Sequence, residues 1–166
     1  MQPNREKALE LFDKAIETEN EGIKFYEEAA AKVQDAKARE IFQRLAKAEH
    51  SHVNLIEDAK KDVKDLYSSH IWIGDFAGDI GKEIETIGRQ NFPKLKGEII
   101  SASALDALNM GIKVEKDSIA FYSNAKAKIT APGVASLFSS LIHFETEHLL
   151  FLELLVKDIK PSTKHD

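Results

Sequence analysis

The chain has 166 residues, no cysteine, 43% apolar and 31% charged residues, and a formal net charge of -5 at pH 7. That length is most economically one domain with a sizeable core, and the acidic balance gives no electrostatic reason to expect nucleic acid or an anionic membrane as a partner. The missing thiols exclude disulfides, thiolate zinc, iron-sulfur clusters and a rubredoxin-type iron within these residues.

The opening stretch, MQPNREKALE, has no apolar signal region, and no apolar run approaches the roughly eighteen residues of a membrane span. A cytoplasmic location is the expectation. The first predicted helix places Leu9, Phe12, Ile16, Glu19, Ile23, Tyr26 and Val33 on one face. A turn follows at VQDAK, and a second helix repeats the pattern through Ala38, Phe42, Leu45, Ile56 and Ala59. Its stripe also passes through Glu49 and His52, a carboxylate and an imidazole where core residues are expected.

Residues 66–97 read as a long crossover that gathers Tyr67, Ile71, Trp72, Ile73, Phe76 and Phe92 among five glycines. So much apolar surface is unsuited to a solvated linker. It is expected either to cover the side of the bundle or to contribute to a homodimer, with an exchange of hairpins between subunits as one form of that dimer. A third helix follows with Leu105, Leu108, Ile112, Glu115, Ile119 and Tyr122 in line. After a turn at ITAPGV, in which Pro132 suits a first helical turn, the fourth carries Val134, Phe138, Leu141, Glu145, His148, Leu152 and Leu155.

The second pair of helices copies the first. At an offset of 96 residues, 11 of the 34 positions from Glu19 to His52 are identical without a gap, among them Glu19/Glu115, Tyr26/Tyr122, Glu49/Glu145 and His52/His148. The expected fold is therefore an all-α four-helix bundle in one domain, with repeat one at about 3–65, the crossover at 66–97 and repeat two at about 98–160. Glu19 and the Glu49/His52 pair lie at similar distances either side of Asp35, so an antiparallel hairpin brings them to one level, roughly 22 Å from the turn. Glu115, Glu145 and His148 straddle the second turn in the same way. Pseudo-twofold packing makes all six converge at mid-bundle and makes the second and third helices parallel, which is why the crossover must be long.

Four unpaired carboxylates buried side by side would be strongly destabilised by desolvation and mutual repulsion. Four Glu at -1 and two neutral imidazoles balance two divalent cations, and carboxylate with imidazole suits iron, manganese or zinc. One Glu from each of two helices and Glu-x-x-His from each of the others is a known arrangement of di-metal carboxylate bundles. A single Glu-x-x-His is ordinarily a solvated helix face; here both copies lie on the seam and each is matched with a seam Glu, while no basic residue shares their level. Tyr26 and Tyr122 face the same way, either as core packing or as phenols bonded to a ligand carboxylate. His50 and His143 point off the seam and are expected at the surface, and His70 and His165 fall in the crossover and the tail.

With ENEGIKFY, EKDSIAFY and both Glu-x-x-His motifs, the chain resembles the ferritin-like superfamily, and specifically the small rubrerythrin-like proteins that lack a rubredoxin domain. That resemblance implies a ferritin-like fold with two iron ions, bridged by Glu49 and Glu145. Glu19 with His52 would complete one ion's shell, and Glu115 with His148 the other's. Rubrerythrins carry an additional Glu three residues after the third-helix ligand, where this chain has Ser118, with Gly22 at the matching place in the first repeat. The implied site is the symmetric six-ligand kind, nearer in that respect to bacterioferritin. The resemblance implies redox activity towards hydrogen peroxide or dioxygen in oxidative-stress defence, with an external electron donor protein. The other readings are a non-catalytic metal-binding or iron-handling centre, and an interaction protein whose metal only staples the bundle.

Overall fold

Capping and turn chemistry set the ends of four long helices among the described residues. The computed structural model describes residues 2–69, 99–100, 102–158 and 160–161, with side chains for 5–64 and 103–157. Helix α1 spans Gln2–Lys32, α2 Ala36–Ser69, α3 Ala102–Ala127 and α4 Pro132–Asp158. Asp35 ends the first turn by capping α2: its Oδ1 accepts hydrogen bonds from the backbone N–H of Lys37 and Ala38 at 3.0 and 2.9 Å. Pro132 is the first residue of α4, where its missing N–H loses no intrahelical bond.

Two differences from the sequence expectation concern boundaries. Helix α2 continues to Ser69, so the first residues assigned to the crossover are helical. Ile99–Ile100 (β1) precede α3 rather than starting it, and pair in parallel with Lys160–Pro161 (β2), drawing the start of the second hairpin to its end. Residues 70–98, and with them the crossover aromatics Trp72, Phe76 and Phe92 and the dimer contact expected there, lie outside the described residues. No helix among the described residues is long and apolar enough to cross a membrane.

The main packing is α1 on α2 and α3 on α4; the hairpins then meet through α1 with α3 and α2 with α4. Tyr26 on α1 reaches Glu115 on α3, and Tyr122 on α3 reaches Glu19 on α1. Such reciprocal pairing requires α1 and α3 to run antiparallel, so α2 and α3 are parallel, as expected from the pseudo-twofold arrangement.

Every seam position expected on α2 and α4 is buried. On α1 and α3 the stripe is shifted by one residue at several levels: Leu9, Ile16, Leu105, Ile112 and Ile119 are half-buried, whereas Ala8, Ala15 and Ala104 are 3% exposed or less. Small residues take the line of closest approach between helices and the larger neighbours pack along its flanks. The core divides into two apolar masses, one around Tyr26, Phe42, Leu45, Leu108 and Leu152, the other around Phe12, Ile56, Tyr122, Phe138 and Phe144. The polar layer lies between them.

Candidate metal centre

The fold draws Glu19 from α1, Glu49 and His52 from α2, Glu115 from α3, and Glu145 and His148 from α4 into one buried cluster. None of the six is more than 5% exposed. Their ligand atoms form two overlapping groups, Glu19–Glu49–His52–Glu145 and Glu49–Glu115–Glu145–His148, each with atoms within 4.8 Å of one another. The three-residue spacing of each Glu and His on its helix places both side chains on the inner face, one turn apart.

Both imidazoles point Nδ1 inwards. His52 Nδ1 lies 3.0 Å from Glu49 Oε2, 3.2 Å from Glu145 Oε1 and 3.3 Å from Glu19 Oε2. His148 Nδ1 lies 3.4 Å from Glu49 Oε1, 3.4 Å from Glu145 Oε2 and 3.7 Å from Glu115 Oε1. Glu49 and Glu145 therefore each turn one oxygen to one histidine and the other oxygen to the second. Glu19 and Glu115 serve one side each.

The tyrosines supply hydrogen bonds around this set, and they do so across the repeat. Tyr26 donates its hydroxyl to Glu115 Oε1, and Tyr122 donates to Glu19 Oε1. Each phenol thus orients the buried Glu on the first helix of the other hairpin, and both rings are fully buried. Burial, then the neighbouring Glu115 and Glu49 charges for Tyr26 and Glu19 for Tyr122, hold both phenols well above their ordinary pKa, so they remain donors. His50 and His143 are exposed, paired with Glu27 at 3.4 Å and Glu147 at 3.5 Å, as their off-seam positions require.

Charge in the cluster is strongly redistributed. Burial opposes protonation of both imidazoles, but the carboxylates outweigh it: Glu145 and Glu19 raise His52 well above its usual value, and Glu145 and Glu49 raise His148 to about 9. Burial and the Glu145 and Glu49 charges push Glu115 well up. For Glu145, burial and Glu49 push upward, yet the two histidines prevail and bring it to about 2.

The residues fit a pair of divalent cations. Glu115 Oε2 is buried and no hydrogen bond reaches it, and neither oxygen of Glu145 accepts a hydrogen bond. Four buried carboxylates with only two imidazoles and two phenols among them call for further positive charge. The oxygen and nitrogen donors suit iron, manganese or zinc, and two carboxylates shared between two histidine-bearing halves suit two ions rather than one.

The Rubrerythrin family model matches residues 10–156, which contain all six of these positions and both tyrosines. The chain belongs to the rubrerythrin family. It also superposes on a two-domain protein from Anabaena variabilis containing DJ-1/ThiJ/PfpI-like and ferritin-like domains, with a TM-score of 0.65 and 14% identity over 96% of this chain. That alignment spans 44% of the Anabaena chain, and at such identity it shows a shared ferritin-like fold alone. Comparison with curated proteins gives no match. The position at which rubrerythrins are expected to add a carboxylate holds buried Ser118, and at the matching Gly22 a Cβ would stand 3.6 Å from Glu49 Cγ.

Sequence reasoning missed two members of this neighbourhood. Phe144 stacks on the His52 ring, with centroids 5.1 Å apart and planes inclined by 13°. Gly111 faces Tyr26, where a Cβ would come within 3.4 Å of the ring and 3.3 Å of Leu152 Cδ1. The signal for both was the repeat itself, which sets Phe144 against Ala48 and Gly111 against Ala15.

Proposed function

We propose that this rubrerythrin-family chain holds two iron ions between its hairpins and is redox-active towards hydrogen peroxide or dioxygen, in oxidative-stress defence. The observation that carries this reading is the division of the oxygens of Glu49 and Glu145 between the two histidines. In it Glu49 and Glu145 are shared ligands, Glu19 with His52 and Glu115 with His148 are the terminal sets, and manganese or zinc are the alternative metals. Two ferrous ions there would supply one electron each, enough with two protons to convert hydrogen peroxide into two waters.

The protein's part is to arrange and shield. Tyr122 and Tyr26 hold Glu19 and Glu115 in place, the apolar masses on either side keep bulk water out, and the inner face of each helix pair fixes the spacing of the donors. These residues hold no cysteine for a rubredoxin-type iron, so electrons would be returned from outside them, by a small electron-transfer protein.

A second reading, a stable metal-binding or iron-handling centre, is favoured by the near-complete burial of all six groups, which resembles a closed structural site more than an open catalytic one. Anaerobic loading with ferrous iron, then stopped-flow mixing with peroxide and separately with oxygen, decides between them. Rapid stoichiometric oxidation by one oxidant is expected; inertness to both leaves the binding role. A homodimer belongs to the same proposal, supported by the exposure of Met110, Leu150 and Leu154 on the second hairpin. Light scattering checks it, and a monomer at micromolar concentration would remove it.

A further inference from the structure

Helix α4 turns Glu145 and His148 to the bundle's interior and leucine to the opposite side. Leu150 and Leu154 follow His148 by two and six residues, which points both away from the core, and they are 54% and 58% exposed. Glu147 and Lys157 extend the line, so that Glu147, Leu150, Leu154 and Lys157 stand three, four and three residues apart. That is the spacing of a seam along which two long helices pack. Its charged ends are accessible: the Glu147 side chain is 43% exposed, and Lys157 is exposed in the last turn.

The fold does not require leucine there. At the repeat offset of 96 the same four places on α2 hold Ser51, Asn54, Asp58 and Lys61, although α2 packs on α1 as α4 packs on α3. Two exposed leucines on adjacent turns favour a docked partner that shields them from water. The charges indicate which partner fits. The seam has an acid at one end and a base at the other, so a second α4 laid antiparallel sets each acid against a base, whereas a parallel copy sets acid against acid. Of the other charged groups nearby, Glu153 is turned to Lys116 on α3 at 2.9 Å, and His143 lies one turn before Glu147 at 3.5 Å from it.

We propose that a second copy of this chain docks on this face, α4 against α4 and antiparallel about a twofold axis, with Leu150 of each copy against the partner's Leu154 and Glu147 of each against the partner's Lys157. The axis passes the level of Leu152, midway between the two leucines, and each contact occurs twice. The proposal rests on the homodimer reading above, to which it gives a surface and a register, and it is independent of the metal. Four seam layers cover about 15 Å of helix. So small an interface is expected to associate in the micromolar rather than the nanomolar range.

Sedimentation equilibrium of the full chain from about 1 to 200 µM tests it, and the unsubstituted protein is expected to pass from monomer to dimer across that range. Leu150→Asn combined with Leu154→Asp gives α4 the residues that α2 carries, so it is expected to fold, as circular dichroism checks, and to associate at least about tenfold more weakly. Glu147→Lys alone and Lys157→Glu alone each make both ion pairs of the dimer repulsive, and each is expected to weaken association about fivefold. Mixed in equal amounts, those two variants are expected to recover it as a heterodimer, because each pair again joins one acid and one base. The charge variants alter exposed residues only and decide the register even if the leucine variant does not fold. A chain that stays monomeric throughout overturns the homodimer and this contact with it. Undiminished dimerisation of a folded leucine variant leaves a homodimer but overturns this contact, and a mixture that associates no better than its components overturns the antiparallel register.

Discussion

Lys14, Asn54 and Asp58 on the first hairpin occupy the repeat positions that Met110, Leu150 and Leu154 occupy on the second, and all six side chains are exposed. Turned inwards, the same two hairpins present Glu, Tyr, Glu and His at matching places, each buried. A buried carboxylate cluster tolerates few alternatives, because any change in charge or donor type leaves its neighbours uncompensated. An exposed helix face is constrained only by solvent and by whatever docks on it. The two copies therefore match at the four buried pairs Glu19/Glu115, Tyr26/Tyr122, Glu49/Glu145 and His52/His148 and diverge on these outward positions, so substitutions at each kind of position probe where interchangeability stops.

The largest effect is expected from the shared carboxylates. Glu49→Ala or Glu145→Ala should impair metal occupancy at both positions, whereas His52→Ala or His148→Ala should weaken mainly its own, with losses beyond the roughly 10–100-fold typical of an outer-sphere partner. Elemental analysis after dialysis against limiting metal reads the difference. A histidine variant that lost both ions as completely as a glutamate variant would break the division of roles.

Next in size is a response to pH that metal should abolish. His148 is raised in the folded chain to about 9, above its ordinary 6.5, and His52 moves in the same direction. A group raised on folding stabilises fully below its unfolded pKa and loses that contribution as pH climbs through the folded one. Stability of the chelator-treated protein should accordingly fall between pH 6.5 and about 9, by on the order of 3 kcal/mol for His148 alone. Glu115, also raised, adds to the loss in the same direction. Metal binding requires neutral imidazole and ionised carboxylate, so affinity should rise over that window instead. Denaturant midpoints for the loaded and stripped protein at several pH values make the comparison.

A smaller effect separates Ala15 from Gly111, its counterpart. Ala15→Gly is expected to destabilise by about 2 kcal/mol, about 1 from lost helix propensity and about 0.8 from a lost buried methyl. Gly111→Ala gains propensity of similar size, but its methyl crowds Leu152 and Tyr26. Its melting temperature should barely move, while the Tyr26 to Glu115 hydrogen bond is displaced; a crystal structure of the variant shows whether it is. Least of all should change on the outer faces: Met110→Lys, which gives the second hairpin the residue of the first, is expected to alter monomer stability by no more than about 0.5 kcal/mol. Its effect should fall on self-association alone.

Periodicity with a fixed offset was enough to read the four helices, both turns and the six polar groups, because charge on a buried stripe is conspicuous and the repeat supplied each observation twice. It was less informative on α1 and α3. There a scan for large apolar residues selects Leu9, Ile16 and Leu105, although Ala8, Ala15 and Ala104 lie on the line of contact, since close helix packing favours residues with little volume. The direction of the tyrosine bonds was illegible for a different reason. Tyr26 and Glu19 share a helix, and only the antiparallel docking of α1 on α3 sends that hydroxyl to Glu115. Phe144 likewise reads as ordinary core until the His52 ring is seen beneath it.

On the proposed function, two ions sit within one six-residue cluster and share Glu49 and Glu145. Crystallographic anomalous scattering from metal-saturated protein tests it most directly, because it counts the ions and locates them together. Two peaks per chain are expected, roughly 3.5–4 Å apart as in other two-metal sites, with Glu49 and Glu145 contacting both. A single peak, or ions bound elsewhere while these side chains remain paired only with one another, would contradict it.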